Sequence, residues 1–219
     1  MLHFCLVKIT IVGATPYELE ALISHHFPSD MEVDYLVHGI GGIHTTYNLT
    51  SYLSTHQPDV MIQCGLAGSF NPNIAVGDVV FVRSECFGDM GSEDQDGTLL
   101  ELFDTELETP HAFPFQERKL RNPFPNPVSL PEVNSISVNT VSGSEKTIAL
   151  RQKQFQADIE SMEGAAFTYT CLHKHIPFVQ IRGISNKVEP RNRDQWDMSV
   201  IETYSNFIIQ NIRSFVPNK

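Results

Sequence analysis

Two glutamates occupy positions where a carboxylate could do chemistry. Glu18 closes the segment Thr15-Pro16-Tyr17-Glu18, just after an apolar run that ends at Gly13. A threonine followed three residues later by glutamate, with proline at the first helical position, marks a capped helix start. Two readings stand side by side: Glu18 only bonds back to the Thr15 amide, or it sits at a strand end as a base for water. Glu20 is a weaker candidate, beyond the turn pattern. Glu163, in Ser161-Met162-Glu163-Gly164, opens another helix, where a carboxylate offsets the positive dipole end by about 0.3–1 kcal/mol. That stabilisation alone accounts for it, but the small residues Gly164, Ala165 and Ala166 also let a ligand approach the backbone. Asn186 ends a strand, an ordinary place for a turn or cap residue. Trp196 is the single tryptophan, as suited to a core as to a ligand platform. Gly39-Ile40-Gly41-Gly42 does not complete a dinucleotide fingerprint, and neither a Walker pattern nor a Gly-x-Ser-x-Gly elbow occurs. His25-His26 and His173-Lys174-His175 lack a carboxylate or cysteine at ligand spacing, so no metal site is expected.

These residues need a scaffold, and the hydrophobic pattern supplies one. Residues 6–12 and 33–37 read as strands, with a helix starting at Thr15-Pro16 between them and another over 43–53. A buried strand over 60–64 leads into Gly65-Leu66-Ala67-Gly68, and 79–82 is a further strand. From about 87 to 134 the period fails: acidic residues, Pro and Phe crowd the stretch, and Asn-Pro recurs. So long an irregular connection is read as an excursion with room for a short helix, placed to cover the site. Regularity returns as a strand at 135–141, a helix over 145–155, a strand near Ile159 and a helix over 165–173. A strand over 178–184 and a last helix over 198–215 complete the pattern. Strands alternating with helices imply an α/β fold, one domain over 1–219 with a mostly parallel central sheet flanked by helices. Ligands of such open sheets bind beyond the carboxyl ends of the strands. Loops 13–20, 39–44, 65–69 and 185–196, with 161–164, are expected there.

Composition narrows the partners. Of 219 residues, 41% are hydrophobic and 19% charged, enough for a packed core. The net charge of −11, without a Lys/Arg run, argues against nucleic acid and anionic membranes. Cys5, Cys64, Cys86 and Cys171 are scattered, which fits free thiols in a reducing compartment. The apolar start is short and interrupted by Lys8, and no run approaches the roughly 20 residues of a membrane span. A cytoplasmic protein acting on a small molecule is expected.

Taken in order, the loops resemble the nucleoside phosphorylase/nucleosidase superfamily. They are most similar to its hydrolase branch of methylthioadenosine/S-adenosylhomocysteine nucleosidases and futalosine hydrolases. The matching segments are Val12-Gly13-Ala14 with Glu18, Gly39-Ile40-Gly41, and Gln57-Pro58-Asp59-Val60 through Gly65-Leu66-Ala67-Gly68. Val76-Gly77-Asp78-Val79-Val80, Ser142-Gly143, Ser161-Met162-Glu163-Gly164-Ala165 and the run Pro177 to Asn186 follow. The likeness spans nearly the whole chain and fails only in 87–134.

The resemblance implies roles. Glu18 matches the glutamate that activates the attacking water, Met162 a residue packed on the ribose, and Glu163 the acceptor for ribose hydroxyls. Leu66, Ala67 and Gly68 match the loop near sugar and base, and Trp196 an aromatic wall for the 5′ substituent. The implied reaction needs no metal or cofactor. The implied assembly is a homodimer whose partner closes the 5′ pocket, with 87–134 at that contact or as a lid. Two departures matter. The methylthioadenosine nucleosidases carry an aspartate that protonates purine N7 where this chain has Asn186. That residue, the segment from Lys187 to Trp196 and the Ala14-Thr15-Pro16 start look more like the futalosine hydrolases. Their substrate is a hypoxanthine nucleoside with a carboxyphenyl arm, an intermediate in menaquinone biosynthesis. Arg191 and Arg193, close before Trp196, are candidates to hold that carboxylate, with solvated loop arginines as the plain alternative.

Three rivals remain. A methylthioadenosine/S-adenosylhomocysteine or 6-amino-6-deoxyfutalosine nucleosidase would use the same scaffold. Phosphorylases of the superfamily place a Gly-Asp-Pro-x-Arg loop after the first strand, where this chain has Gly-Ala-Thr-Pro-Tyr. A catalytically inert nucleoside-binding protein is disfavoured by the presence of both glutamates.

Overall fold

The computed structural model describes residues 6–190 and 193–217, the side chain of Arg193 excepted. The chain begins β1 (Val7–Gly13), α1 (Pro16–Ile23), β2 (Met31–Val37), α2 (Gly42–Tyr52), β3 (Val60–Ser69), β4 (Val79–Phe87). The short strands β5 (Gly91–Glu93), β6 (Leu99–Glu101), β7 (Phe115–Gln116) and β8 (Lys119–Arg121) follow. It ends β9 (Glu132–Ser137), α3 (Glu145–Phe155), β10 (Ile159–Ser161), α4 (Gly164–Lys174), β11 (Phe178–Lys187), α5 (Val200–Asn211).

β1 lies between β2 and β3, parallel to both. Helices cover each face: α1 and α5 meet on one side over Ile9, Ile11, Leu19, Leu22, Tyr204 and Ile208, which form one core. On the other side α2 and α4 close over Val12, Leu49, Met61, Phe167 and Cys171. Burial on both faces is why β1, β3 and β11 read as near-continuous apolar runs instead of alternating. Cys64, Cys86 and Cys171 are buried free thiols.

The sheet is not open. β11 runs parallel to β3 and antiparallel to β4, β4 runs parallel to β9, and β9 parallel to β10. β10 then returns antiparallel to the end of β3, at Ile159 with Ser69 and Glu160 with Gly68. Five strands thus form a ring, filled by Ala67, Val80, Val82, Val133, Ile159 and Ile184. Closure corrects two expected loops. Residues 65–69 belong to β3 and 185–187 to β11, because Gly68 pairs with Glu160 on one side and Asn186 on the other.

The 87–134 stretch holds two small hairpins, β5–β6 and β7–β8, and one 3-10 turn at Leu102–Thr105. The second hairpin extends the sheet from β4 through β8. No α-helix forms there. No described helix is long and apolar enough to cross a membrane.

Candidate active site

The expected site residues converge. A cavity of about 440 Å³ is walled by Glu18, Leu66, Ala67, Gly68, Met162, Glu163, Asn186 and Trp196. Its size suits a small organic ligand. The remaining two expectations cannot be placed with them: Arg191 lies outside the described residues, and so does the side chain of Arg193, whose backbone opens a short 3-10 turn.

Glu18 caps α1 and also stands on the cavity wall. Its Oε2 accepts from the Thr15 amide at 2.9 Å and from the Thr15 hydroxyl at 3.2 Å, while the Thr15 hydroxyl caps the Glu18 amide at 3.4 Å. The other oxygen faces the cavity wall, where it accepts from the Leu66 amide at 3.3 Å. Tyr204 donates to the Glu18 carbonyl at 2.9 Å, tying α1 to α5. The cap therefore holds the carboxylate in place without consuming it.

Glu163 is the residue before α4, and it is 6% exposed. Its Oε1 accepts from the Gly41 amide at 3.0 Å, and Arg182 Nη1 lies 3.7 Å from Oε2. Gly41 has φ +82°, a conformation glycine adopts without strain, and this aims its N–H at the carboxylate. Burial raises the Glu163 pKa above the ordinary value, against the pull of Arg182 and of the Gly41 N–H.

Arg182 lies beside Glu163, and Gly65 makes room for it next to Glu18. A Cβ on Gly65 would fall 2.7 Å from Arg182 Nη1 and 2.9 Å from Glu18 Oε1, so only glycine leaves room for both groups. Arg182 Nη2 donates to Gln63 Oε1 at 3.0 Å, and the Gln63 amide lies 3.2 Å from His38 Nε2. His38 Nδ1 is 2.9 Å from the Gly39 carbonyl, which assigns the hydrogen to Nδ1 and leaves Nε2 to accept from Gln63. Burial pushes the imidazole pKa down to about 4, keeping it neutral. Sequence reasoning missed Arg182, Gln63 and His38 as members of the site. The available signal was a polar residue inside each of two apolar strands, Gln63 in β3 and Arg182 in β11.

Asn186 sits at an irregularity in β11, where the pairing with β3 skips a residue. Its Oδ1 accepts from the Ser185 hydroxyl at 2.9 Å, and its Nδ2 donates to the Lys187 carbonyl at 2.8 Å. A Cβ on Gly68 would come within 3.1 Å of Nδ2. Asp197 N donates to the Ser185 carbonyl at 2.7 Å, which draws the Trp196 segment onto this end of the cavity. Opposite, Val141 and Ser142 line the wall; Glu160 grips Ser142 through its amide at 2.7 Å and its hydroxyl at 2.6 Å, backed by Arg151 at 3.0 Å.

The 87–134 stretch does not cover this cavity in the chain itself. It lines a neighbouring hollow of about 1040 Å³ with Phe87, Met90, Leu102 and Phe115, facing Ile43 and Tyr47 of α2. Met162 borders both spaces. The irregular segment packs Phe87 and Phe115 against Tyr169 of α4 instead of reaching the site.

The arrangement suits a reaction that builds positive charge on the ligand. Two carboxylates face one space, and Arg182 sits behind them rather than in it. A developing cation between them would be stabilised by groups already fixed by the fold.

Comparison with known proteins agrees with this fold. The sequence profile of the Phosphorylase superfamily matches residues 8–213. A futalosine hydrolase of Thermus thermophilus is 25% identical, over 74% of this chain and 72% of that protein. A 5′-methylthioadenosine/S-adenosylhomocysteine nucleosidase of Maridesulfovibrio salexigens is 32% identical, over 72% of this chain and 69% of that protein. Among solved structures, the native futalosine hydrolase of Helicobacter pylori superposes with a TM-score of 0.74. It is 18% identical and covers 96% of this chain and 97% of its own.

Proposed function

Since the chain belongs to the phosphorylase superfamily and is a hydrolase of the purine nucleosidase kind, we propose that it is a futalosine hydrolase. It would release hypoxanthine from futalosine in a cytoplasmic step of menaquinone biosynthesis. The observation that carries the choice of base is Asn186, a neutral amide on the cavity wall beside Gly68. A 6-oxopurine presents acceptors at N7 and O6, and an amide NH₂ donates to them. An ionised aspartate there would face those lone pairs with negative charge.

The proposed mechanism is dissociative. The C1′–N9 bond stretches, charge builds on the ribosyl ring, and water enters from the opposite side. Glu18 takes the water's proton, a role worth about 10²–10⁴-fold. Glu163 accepts from the ribose hydroxyls and favours the cationic ring, with Met162 packed on the sugar. Leu66, Ala67 and Gly68 border sugar and base; the oxopurine leaves as an anion with the electron pair of the broken bond, steadied by a hydrogen bond from Asn186, and takes its proton from solvent. Trp196 walls the 5′ arm. A second copy of the chain completes that end. In support, Ile43 and Tyr47 are 82% and 73% exposed beside a hollow that adjoins the site through Met162.

A second reading, a methylthioadenosine/S-adenosylhomocysteine or 6-amino-6-deoxyfutalosine nucleosidase, is favoured by one observation. The 32% identity to the Maridesulfovibrio protein exceeds the 25% to the Thermus one. Incubation with futalosine, its 6-amino counterpart and methylthioadenosine, with free base read by chromatography, separates the two. Hypoxanthine release from futalosine without added phosphate is expected, faster than adenine release from the others. Faster adenine release gives the second reading, and turnover that requires phosphate defeats both.

A further inference from the structure

Glu85, on β4, is a carboxylate that the chemistry above leaves unused. It is 1% exposed, and among the described residues it makes no ion pair. Its Oε1 accepts from Gln180 Nε2 at 2.7 Å and its Oε2 from the Ser137 hydroxyl at 3.0 Å. Burial pushes its pKa up to about 7, although Arg182 on β11 pulls it down. A carboxylate buried without a paired cation is costly, so a core position that keeps one asks for a reason beyond packing.

The Gln180 and Ser137 contacts of Glu85 both lead to the first turns of α4. Ser137 Oγ, which donates to Glu85, accepts from the Ala165 amide at 2.8 Å. Gln180, which donates to the other oxygen, accepts from the Thr168 hydroxyl at 3.3 Å. Between them Gly164 lies directly against the carboxylate: a Cβ there would fall 1.9 Å from Oε1. The first N–H groups of a helix have no intrahelical partner, and negative charge at that end is favoured by the dipole. The residue before Gly164 is Glu163.

We propose that Glu85 is a positioning residue: through Ser137, Gln180 and the bare backbone of Gly164 it sets the first turn of α4 and so aims Glu163 at the ribose hydroxyls. This rests on the ribose role given to Glu163 above. In Glu85→Gln one of the two accepting oxygens becomes a donor, so either the Gln180 NH₂ meets a second donor or the Ser137 hydroxyl gives up its bond to the carboxylate and accepts instead, and the hold on the helix start changes.

The test uses kcat and KM for Glu85→Gln, Ser137→Ala, Glu163→Gln and the Glu85→Gln/Glu163→Gln pair. Substrates are futalosine, methylthioadenosine and the 2′,3′-dideoxy analogue of each, with Tm measured alongside. Misplacement of a binding group by a fraction of an ångström should lower kcat/KM about tenfold in Glu85→Gln and in Ser137→Ala. That loss should vanish on the dideoxy substrates and in the Glu163→Gln background. A loss of equal size with and without the hydroxyls, or one that adds to that of Glu163→Gln, overturns the proposal. So does a lowered Tm with kcat/KM unchanged, which marks a purely structural acid. If Glu85→Gln does not fold, Ser137→Ala, which removes the bridge between Glu85 Oε2 and the Ala165 amide and leaves the Gln180 bond in place, decides by the same comparison. A Glu163→Gln effect indifferent to the hydroxyls defeats the ribose reading itself, and this proposal with it. A hydroxyl-dependent Glu163→Gln effect beside an indifferent Glu85→Gln effect defeats this proposal alone.

Discussion

Substituting Glu18 by glutamine separates its two roles. The carboxylate accepts three hydrogen bonds from outside itself: two at Oε2, from the Thr15 amide and hydroxyl, and one at Oε1, from the Leu66 amide. A glutamine has one oxygen. It keeps the Thr15 pair by pointing that oxygen at them, which turns its NH₂ toward the Leu66 N–H. Two donors then face each other across a contact that was 3.3 Å. The Leu66 contact is long, so the cost is expected at the low end of a lost hydrogen bond, about 1 kcal/mol. For a chain of this length that lowers Tm by about 2–4 °C. The kinetic loss is much larger. An amide cannot take the proton from water, so kcat falls by about 10²–10⁴-fold with KM little changed. The assay is chromatographic release of free base at saturating nucleoside, with Tm from calorimetry on the same preparation. Thr15→Ala is the control: it removes the cap, costs about 1 kcal/mol, and leaves the base chemically intact. Base release by Glu18→Gln within tenfold of wild type, at an unchanged Tm, would refute both halves of the reasoning.

Asn186→Asp should narrow or reverse the preference for 6-oxopurine over 6-aminopurine nucleosides, mainly in kcat. Paired kinetics on futalosine and methylthioadenosine check this, and an unchanged ratio removes Asn186 from base selection. His38 is held neutral, with a folded pKa of about 4 against 6.5; below pH 6.5 the unfolded chain binds the extra proton, so its contribution to stability falls with pH down to about 4. The Tm advantage of wild type over His38→Asn should therefore shrink between pH 7 and pH 5, and a constant difference contradicts it. Taking the difference cancels Glu85, whose raised pKa works in the opposite direction. Ile43→Asp, on the exposed face of α2, should give a monomer by sedimentation with lower kcat/KM; a fully active monomer ends the shared-pocket reading.

Local pattern carried most of the elements. The helix expected over 145–155 forms as Glu145–Phe155, started by Ser144, whose hydroxyl accepts from the Thr147 amide at 3.2 Å. The capping box at Thr15 and Glu18 forms as its spacing implies. These signals survive because a helix start is satisfied within four residues and needs no distant partner. The 87–134 stretch was correctly seen to be irregular, but its place was not legible. Its strands are two or three residues long, too short for a period, and what orders them is packing of Phe103, Phe115 and Leu120 against α4.

The sequence by itself determined that Glu18 would stand at a strand end on a capped helix, that Glu163 would precede a helix, and that an α/β sheet would carry both. Tertiary structure decided what lies between them. Arg182 reaches Gln63 across 119 residues and Glu163 across a crossover, and neither contact leaves a trace in local spacing. It also decided that 65–69 and 185–187 are strands, since those residues are extended only because β10 and β11 flank β3 and close the ring. Propensity acts over a turn or a strand, whereas strand pairing is set by which apolar faces can be buried together. A buried arginine against Glu163 and Gln63 exists only once that pairing has been made.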